Sequence, residues 1–272
     1  MANKIKDLTN IISDGTIEKE IKCGIIALKS EMYEQAWNHL IKAYNSKEAT
    51  KEEKGEAGYQ ICSLMKDIPS SDPLIKKLME TDKDLIRLIK TKPVTKEYAK
   101  KYIGRKYLRM AAEYGYSAAL IEYGLACVNF GKENDFVFEY NKENEEAAFA
   151  WANIMKKHSN EYVRQAAHII YAKCYFVKAI DSNTPSIINS FGDNVIQAES
   201  IDTNSQYVKF FKAHLNANPK FKDYKNGQYF NIKEGYDKFC LLASTASDPS
   251  VKKSAIELKN LFDKKYPSAL KK

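Results

Sequence analysis

Cys23-Gly24-Ile25-Ile26-Ala27-Leu28 sets a register that decides the fold. Counted from Gly24, the residues Tyr33, Ala36, Leu40 and Ala43 follow at offsets of 9, 12, 16 and 19, and Gly58, in Gly58-Tyr59-Gln60-Ile61-Cys62, returns after 34. Small and apolar residues three and four apart mark one face of a helix. Two such faces joined by a short polar stretch make a helix pair. Gly24 and Ala36 lack bulk, so the two backbones can approach closely, and Tyr33 fills the turn between them.

Helix signals extend along the whole chain. Thr50-Lys51-Glu52-Glu53 is a capping box, in which the threonine and the glutamate satisfy each other's backbone donors. Asp72-Pro73, Thr184-Pro185 and Asp248-Pro249 each place a capping residue before a proline at the first helical position. Gly115 and Gly131 read as helix stops. The pattern predicts helices over 16–29, 31–45, 50–67, 73–90, 95–114, 117–130, 142–158, 160–180, 186–199, 204–217, 232–246 and 249–265. Short connections between them make neighbours antiparallel. Two stretches break the pattern. Residues 132–141 form a non-helical insert, and 221–232, centred on Asn226-Gly227 and rich in aromatics, reads either as one small β-hairpin or as an irregular loop.

Composition agrees. The 272 residues include 11 Gly and 7 Pro, too few turns for an all-β sandwich or barrel. No apolar run approaches the ~18 residues of a membrane span, and residues 1–7 lack a secretory layout, so a cytoplasmic location is expected, with export without a signal peptide left open. Abundant Lys, Ile and Asn with little Arg suggest an AT-rich bacterial genome. Five widely spaced cysteines without a CxxC read as buried thiols rather than disulfides or a zinc site.

The 34-residue return, with glycine in the first helix and tyrosine and two alanines around a large apolar residue in the second, resembles the tetratricopeptide repeat. The second unit departs from it, because Ser70 in a Pro69-Ser70-Ser71 turn stands where a small helical residue would recur. The middle of the chain resembles the Sel-one-like repeat. Ala111-Ala112-Glu113-Tyr114-Gly115 precedes Ser117-Ala118-Ala119-Leu120, Tyr123-Gly124-Leu125-Ala126-Cys127 and Phe130-Gly131, and Ala147-Ala148-Phe149-Ala150-Trp151 follows the insert. Arg164-Gln165-Ala166-Ala167 and Tyr171-Ala172-Lys173-Cys174-Tyr175 echo the first helix of that pattern. The resemblance covers residues 20–64 and 107–176. It implies an all-α fold, an α-solenoid of stacked antiparallel helix pairs, over 1–202, with 203–272 a basic helical segment that continues it.

Chemistry is sparse. Four histidines (His39, His158, His168 and His214) stand without a Cys or Ser partner at a recognisable spacing, and no HExxH, GxSxG, P-loop or GxGxxG occurs. No enzyme activity, metal or cofactor is expected. The resemblance implies a protein or peptide partner held in the concave groove, where Tyr59, Ser63, Glu122, Asn129, Gln165 and Lys173 would face or border it.

Charge offers the competing reading. Residues 1–202 hold 29 basic and 29 acidic side chains, and residues 203–272 hold 14 and 6, which accounts for the net charge of +8. Nucleic acid or an anionic surface could meet Lys220, Lys222 and Lys225 there. The four arginines lie elsewhere, at positions 87, 105, 109 and 164, and arginine is the residue of bidentate phosphate recognition. Within 95–114, Tyr98 and Tyr102, together with Lys101, Arg105 and Arg109, form the best basic and aromatic strip in the chain, either solvated or a contact for an acidic partner.

Overall fold

A computed structural model describes residues 16–128, 142–182 and 184–267, and of 142–144 the backbone alone. Among them are thirteen α-helices and no strand. The chain divides into two compact units, Met1–Tyr123 and Gly124–Lys272. The charge boundary at residue 202 falls inside the second.

The first unit contains α1 (Ile17–Lys29), α2 (Tyr33–Asn45), α3 (Lys51–Asp67), α4 (Pro73–Thr81), α5 (Lys83–Ile89), α6 (Lys96–Glu113) and the start of α7 (Ser117–Ala126). Consecutive helices pack in pairs, α1 on α2 and α2 on α3, as in an α-solenoid. Leu40, Ile61, Leu64, Met65 and Ile75 are fully buried between them. The pairing rests on the expected small residues. A Cβ on Gly24 would lie 2.5 Å from Leu40 Cγ and 3.4 Å from the Ala36 carbonyl. Tyr107 then closes the core edge-on against Tyr44 at 5.2 Å and Trp37 at 5.9 Å.

The second repeat departs where the sequence does. The chief neighbour of α3 is α6, not the helix that follows it. A Cβ on Gly58 would touch Ala111, Tyr107 and Tyr44. The helix expected over 73–90 is two helices, because the Asp82 carboxylate accepts from the backbone N–H of Asp84 and Leu85 and so caps a new start. The capping box at Thr50 and the aspartate caps at 72 and 248 form as expected. Thr184 stands at its cap position without capping; its hydroxyl meets Ser182 instead. Gly115, at φ +85°, ends α6, while Gly131 and the insert 132–141 lie outside the described residues.

The second unit contains α8 (Lys142–Met155), α9 (Glu161–Asp181), α10 (Pro185–Ile201), α11 (Gln206–Ala217), α12 (Ile232–Thr245) and α13 (Pro249–Lys265). Each packs on the next, and α11 also touches α9 and α13. Between α11 and α12 the hairpin reading fails. Residues 219–221 form a 3-10 turn, and 224–227 form a turn of left-handed backbone. The cause is burial at a spacing of three: Phe221 stacks on Phe191 at 4.4 Å, and the Tyr224 ring covers Gly192 while its hydroxyl donates to Asp193 at 2.7 Å. A strand would put those two rings on opposite faces. The Asn-Gly signal is still expressed locally, since Lys225, Asn226 and Gly227 all have positive φ (45°, 58° and 78°).

Two substitutions test the close approaches. Ala36→Leu overpacks the α1–α2 contact and is expected to cost about 1–3 kcal/mol, while Asn38→Leu on the exposed side is nearly silent. Gly235→Ala meets the Ala213 carbonyl at 2.8 Å, a backbone atom that cannot swing away, and is expected to cost a similar amount. Urea denaturation of the variants measures both.

Candidate functional site

One open face of the first unit lies along α6. The helix buries Ala99, Ile103, Gly104, Tyr107, Leu108, Ala111 and Ala112 and leaves Tyr98, Arg105 and Arg109 exposed. Tyr98, Tyr102, Arg105, Lys106, Arg109, Met110 and Glu113 line an open cavity of about 430 Å³. Tyr98 is 41% exposed, with Lys92 Nζ 4.7 Å above its ring. Arg109 Nε donates to Glu113 at 2.9 Å, which fixes the direction of its guanidinium. Lys101 pairs with Glu97 at 3.6 Å.

Lys106 has a structural task on this face. It reaches Asp82 at 3.0 Å and Asp84 at 2.7 Å, fastening the start of α5 to α6. Burial works against its charge, but the hydrogen bonds to the two aspartates outweigh burial and hold the ammonium above the usual lysine range. The cavity therefore sits on an electrostatically fixed wall, with Arg105 and Arg109 on its exposed side.

Of the groove residues predicted from sequence, the first unit brings three together. The Tyr59 hydroxyl donates to Glu122 at 3.2 Å, and Lys66 also pairs with Glu122. Ser63 donates back to the Tyr59 carbonyl one turn earlier, and the Tyr59 ring rests on Tyr116 at 5.4 Å. Burial, then the Glu122 carboxylate, raises the Tyr59 phenol above its ordinary range. Glu122 is thus committed to two neighbours inside the protein. Gln165 is buried in the second unit, where its amide donates to the carbonyls of Ala198 and Asp202 at the end of α10. Asn129 lies outside the described residues.

Lys173 belongs to a polar interior that the sequence did not reveal. Burial lowers its pKa, against smaller opposing effects of Cys174 and Asp248. Asp248 is fully buried and accepts from Ser250 N, Val251 N, Ser250 Oγ and Tyr207 Oη, while its own N–H donates to Gln206. In sequence Asp248 is visible only as a cap before proline; its tertiary partner sits 41 residues earlier. Another missed group is Glu20 of α1, 2% exposed, held by His39 Nδ1 and Lys42 Nζ of α2, each at 2.7 Å. His168 likewise ties α9 to Asn194 of α10 at 2.8 Å.

The basic end is partly compensated. Lys225 pairs with Asp193 at 3.3 Å, Lys233 with Asp237 at 2.9 Å and Lys259 with Asp263 at 2.8 Å. Lys222 is exposed and Lys220 half-exposed beside the 3-10 turn. Cys23, Cys62, Cys127 and Cys174 are buried free thiols; Cys240, expected among them, is only half-buried. Burial pushes the Cys62 thiol up, away from reactivity. Among the described residues no cluster of His, Cys, Asp or Glu could hold a metal ion, and no helix is long and apolar enough to cross a membrane.

His214 gives the second unit a defined pH response. Burial, reinforced by the charge of Lys173, pushes its pKa down to about 3. In the unfolded chain it titrates near 6.5, so below that pH the unfolded state takes up a proton the folded state refuses. Burial depresses His168 in the same direction. Above about pH 6.5 nothing is lost; below it each such group removes up to ~1.4 kcal/mol per pH unit. Urea midpoints are expected to fall between pH 7 and 5.5, before carboxylates titrate, and to fall less in His214→Phe.

Comparison with known protein families, curated proteins and solved structures gives no match to this chain.

Proposed function

We propose that this chain is a helical-repeat scaffold that binds a partner polypeptide, and that the face of α6 holds an acidic segment of that partner. The observation that carries this reading is the open cavity in which Tyr98 and Tyr102 adjoin Arg105 and Arg109. Tyrosine brings a large contact area at little entropic cost, and arginine matches a carboxylate with two parallel hydrogen bonds. These residue types carry the energy of protein–protein interfaces. The succession of helix pairs and the likeness to tetratricopeptide and Sel-one-like repeats support the same class. The lysines of 203–272 offer point charges without a planar fork, and several already have carboxylate partners.

The test is fluorescence anisotropy of a labelled peptide that alternates Glu or Asp with aromatic residues, at low and physiological salt. Arg105→Gln and Arg109→Gln together are expected to weaken binding about 10- to 100-fold, as for lost charged hydrogen bonds worth about 1.5–3 kcal/mol. Lys220, Lys222 and Lys225 changed together to Gln leave it nearly unchanged. Binding of a single-stranded oligonucleotide that survives physiological salt and collapses in the lysine variant would instead favour nucleic-acid recognition.

A further inference from the structure

In the second unit the end of α11 meets α12 and α13 around a cavity of about 180 Å³. One wall is aromatic. The rings of His214, Phe239, Phe262 and Tyr266 follow one another along it, at centroid distances of 5.2, 5.8 and 5.4 Å. Leu258 and Leu261 of α13 complete the apolar lining. His214 is 6% exposed and Leu261 53% exposed, so the cavity runs inward from an apolar lip at the surface. The polar groups at its edge carry one sign. Lys265, exposed on the last turn of α13, holds its ammonium 5.4 Å from the centroid of the Tyr266 ring. Lys259 of the same helix pairs with Asp263 at 2.8 Å, whereas among the described residues no carboxylate pairs with Lys265. Asn218, beside Pro219, commits its side-chain oxygen to the Lys220 N–H at 3.0 Å, so what it can offer a ligand is an N–H donor. Among the described residues that line the cavity there is no Asp or Glu.

We propose that this cavity binds a small aromatic monocarboxylate of about the size of phenylacetate, its ring seated against Phe239 and Phe262 and its carboxylate at Lys265. An apolar space of about 150 Å³ accepts a single benzene ring, which sets the size class. The run of rings along one wall favours an aromatic body over an alkyl one, because a further ring can meet them edge-on or offset. The charge follows from the edge. A cation and an amide donor, with no acid among the lining residues, complement an anion and offer nothing to a second cation. The apolar interior cannot solvate that anion, so the carboxylate stays at the surface beside Lys265 while the ring goes inward. The site lies in the second unit and does not depend on the reading of the α6 face.

The experiment is an NMR titration of the full-length protein, 13C-labelled at leucine methyls, with phenylacetate, its neutral isostere phenylacetamide, and acetate. Phenylacetate is expected to bind with a Kd of about 1 mM and to shift the Leu258 and Leu261 methyls, an affinity within the range open to a ten-atom ligand. Phenylacetamide should shift the same methyls and bind about 2- to 5-fold more weakly, the value of one solvent-exposed ion pair. Acetate should leave them unmoved. Lys265→Gln, an exposed change, should equalise the acid and the amide, and Leu258→Trp, which fills the cavity, should abolish both. Arg105→Gln with Arg109→Gln on α6 should change nothing here, which separates this site from the face proposed for the partner. The proposal is overturned if the amide binds the wild type as tightly as the acid, if the preference survives Lys265→Gln, if phenylacetate saturates without moving the Leu258 and Leu261 methyls, or if no binding is seen by about 10 mM. The wild-type comparison of acid with amide decides the matter even where Leu258→Trp does not fold.

Discussion

Leu40 rests in the space that any side chain on Gly24 would claim, and the first unit is built outward from that contact. Bringing two helix axes close lets Leu40, Ala36 and Ala43 be fully buried across a narrow interface. It also fixes the angle at which α2 presents Tyr44 and Trp37 to Tyr107 of α6. The second unit uses the same device with different residues. Gly235 lies against Ala217 and the backbone of Ala213, so α12 sits close on α11. Interiors are packed like crystals, and an interface this tight transmits any added methyl to the backbone. The small residues therefore set the geometry, and the larger apolar residues fill what remains.

Polar groups fasten these pairs from inside. Glu20 between α1 and α2, Gln165 between α9 and α10, and Asp248 between α11 and α13 are each buried with several partners. A buried charge that keeps its partners contributes little net stability, yet removing one partner leaves an uncompensated charge in a poor solvent. Such groups favour one register of the stack over its neighbours.

The fold was legible because its signals are local. Capping residues, proline at first helical positions and the 3.6-residue period locate helix ends to within a few residues, and Gly24 with Ala36 identifies which faces meet. What was not legible depends on contacts distant in sequence. Asp82 caps the new helix through its own neighbours Asp84 and Leu85, but an aspartate within an apolar helical pattern reads equally as a solvated helix position, and Lys106, which anchors it, comes 24 residues later. The Asn226-Gly227 turn was readable, but the burial of Phe221 and Tyr224 against α10 decides what surrounds it. At the sites the same divide holds. Tyr98, Tyr102, Arg105 and Arg109 share one helix, so their grouping follows from spacing alone. The company of Lys173, Tyr207, His214 and Asp248 comes from two helices and the cap of a third, and no spacing rule connects them.

Electrostatics separates the two candidate faces of the first unit further. Glu122 could have offered a carboxylate to a basic partner, but Tyr59 and Lys66 already engage it, and both are half-buried beside it. Opening that cluster would require a ligand to replace two hydrogen bonds and to re-solvate or rebury a lysine. Along α6 the balance runs the other way. The acidic residues there serve to aim cations, Glu113 for Arg109 and Asp82 with Asp84 for Lys106. A guanidinium held by a carboxylate at Nε keeps its planar fork in one orientation. An incoming carboxylate then meets prearranged geometry and loses less entropy on binding. On the proposed reading, an oriented Arg109 beside Tyr98 and Tyr102 matters more than the number of positive charges, since several of the more numerous lysines of residues 203–272 already pair with carboxylates.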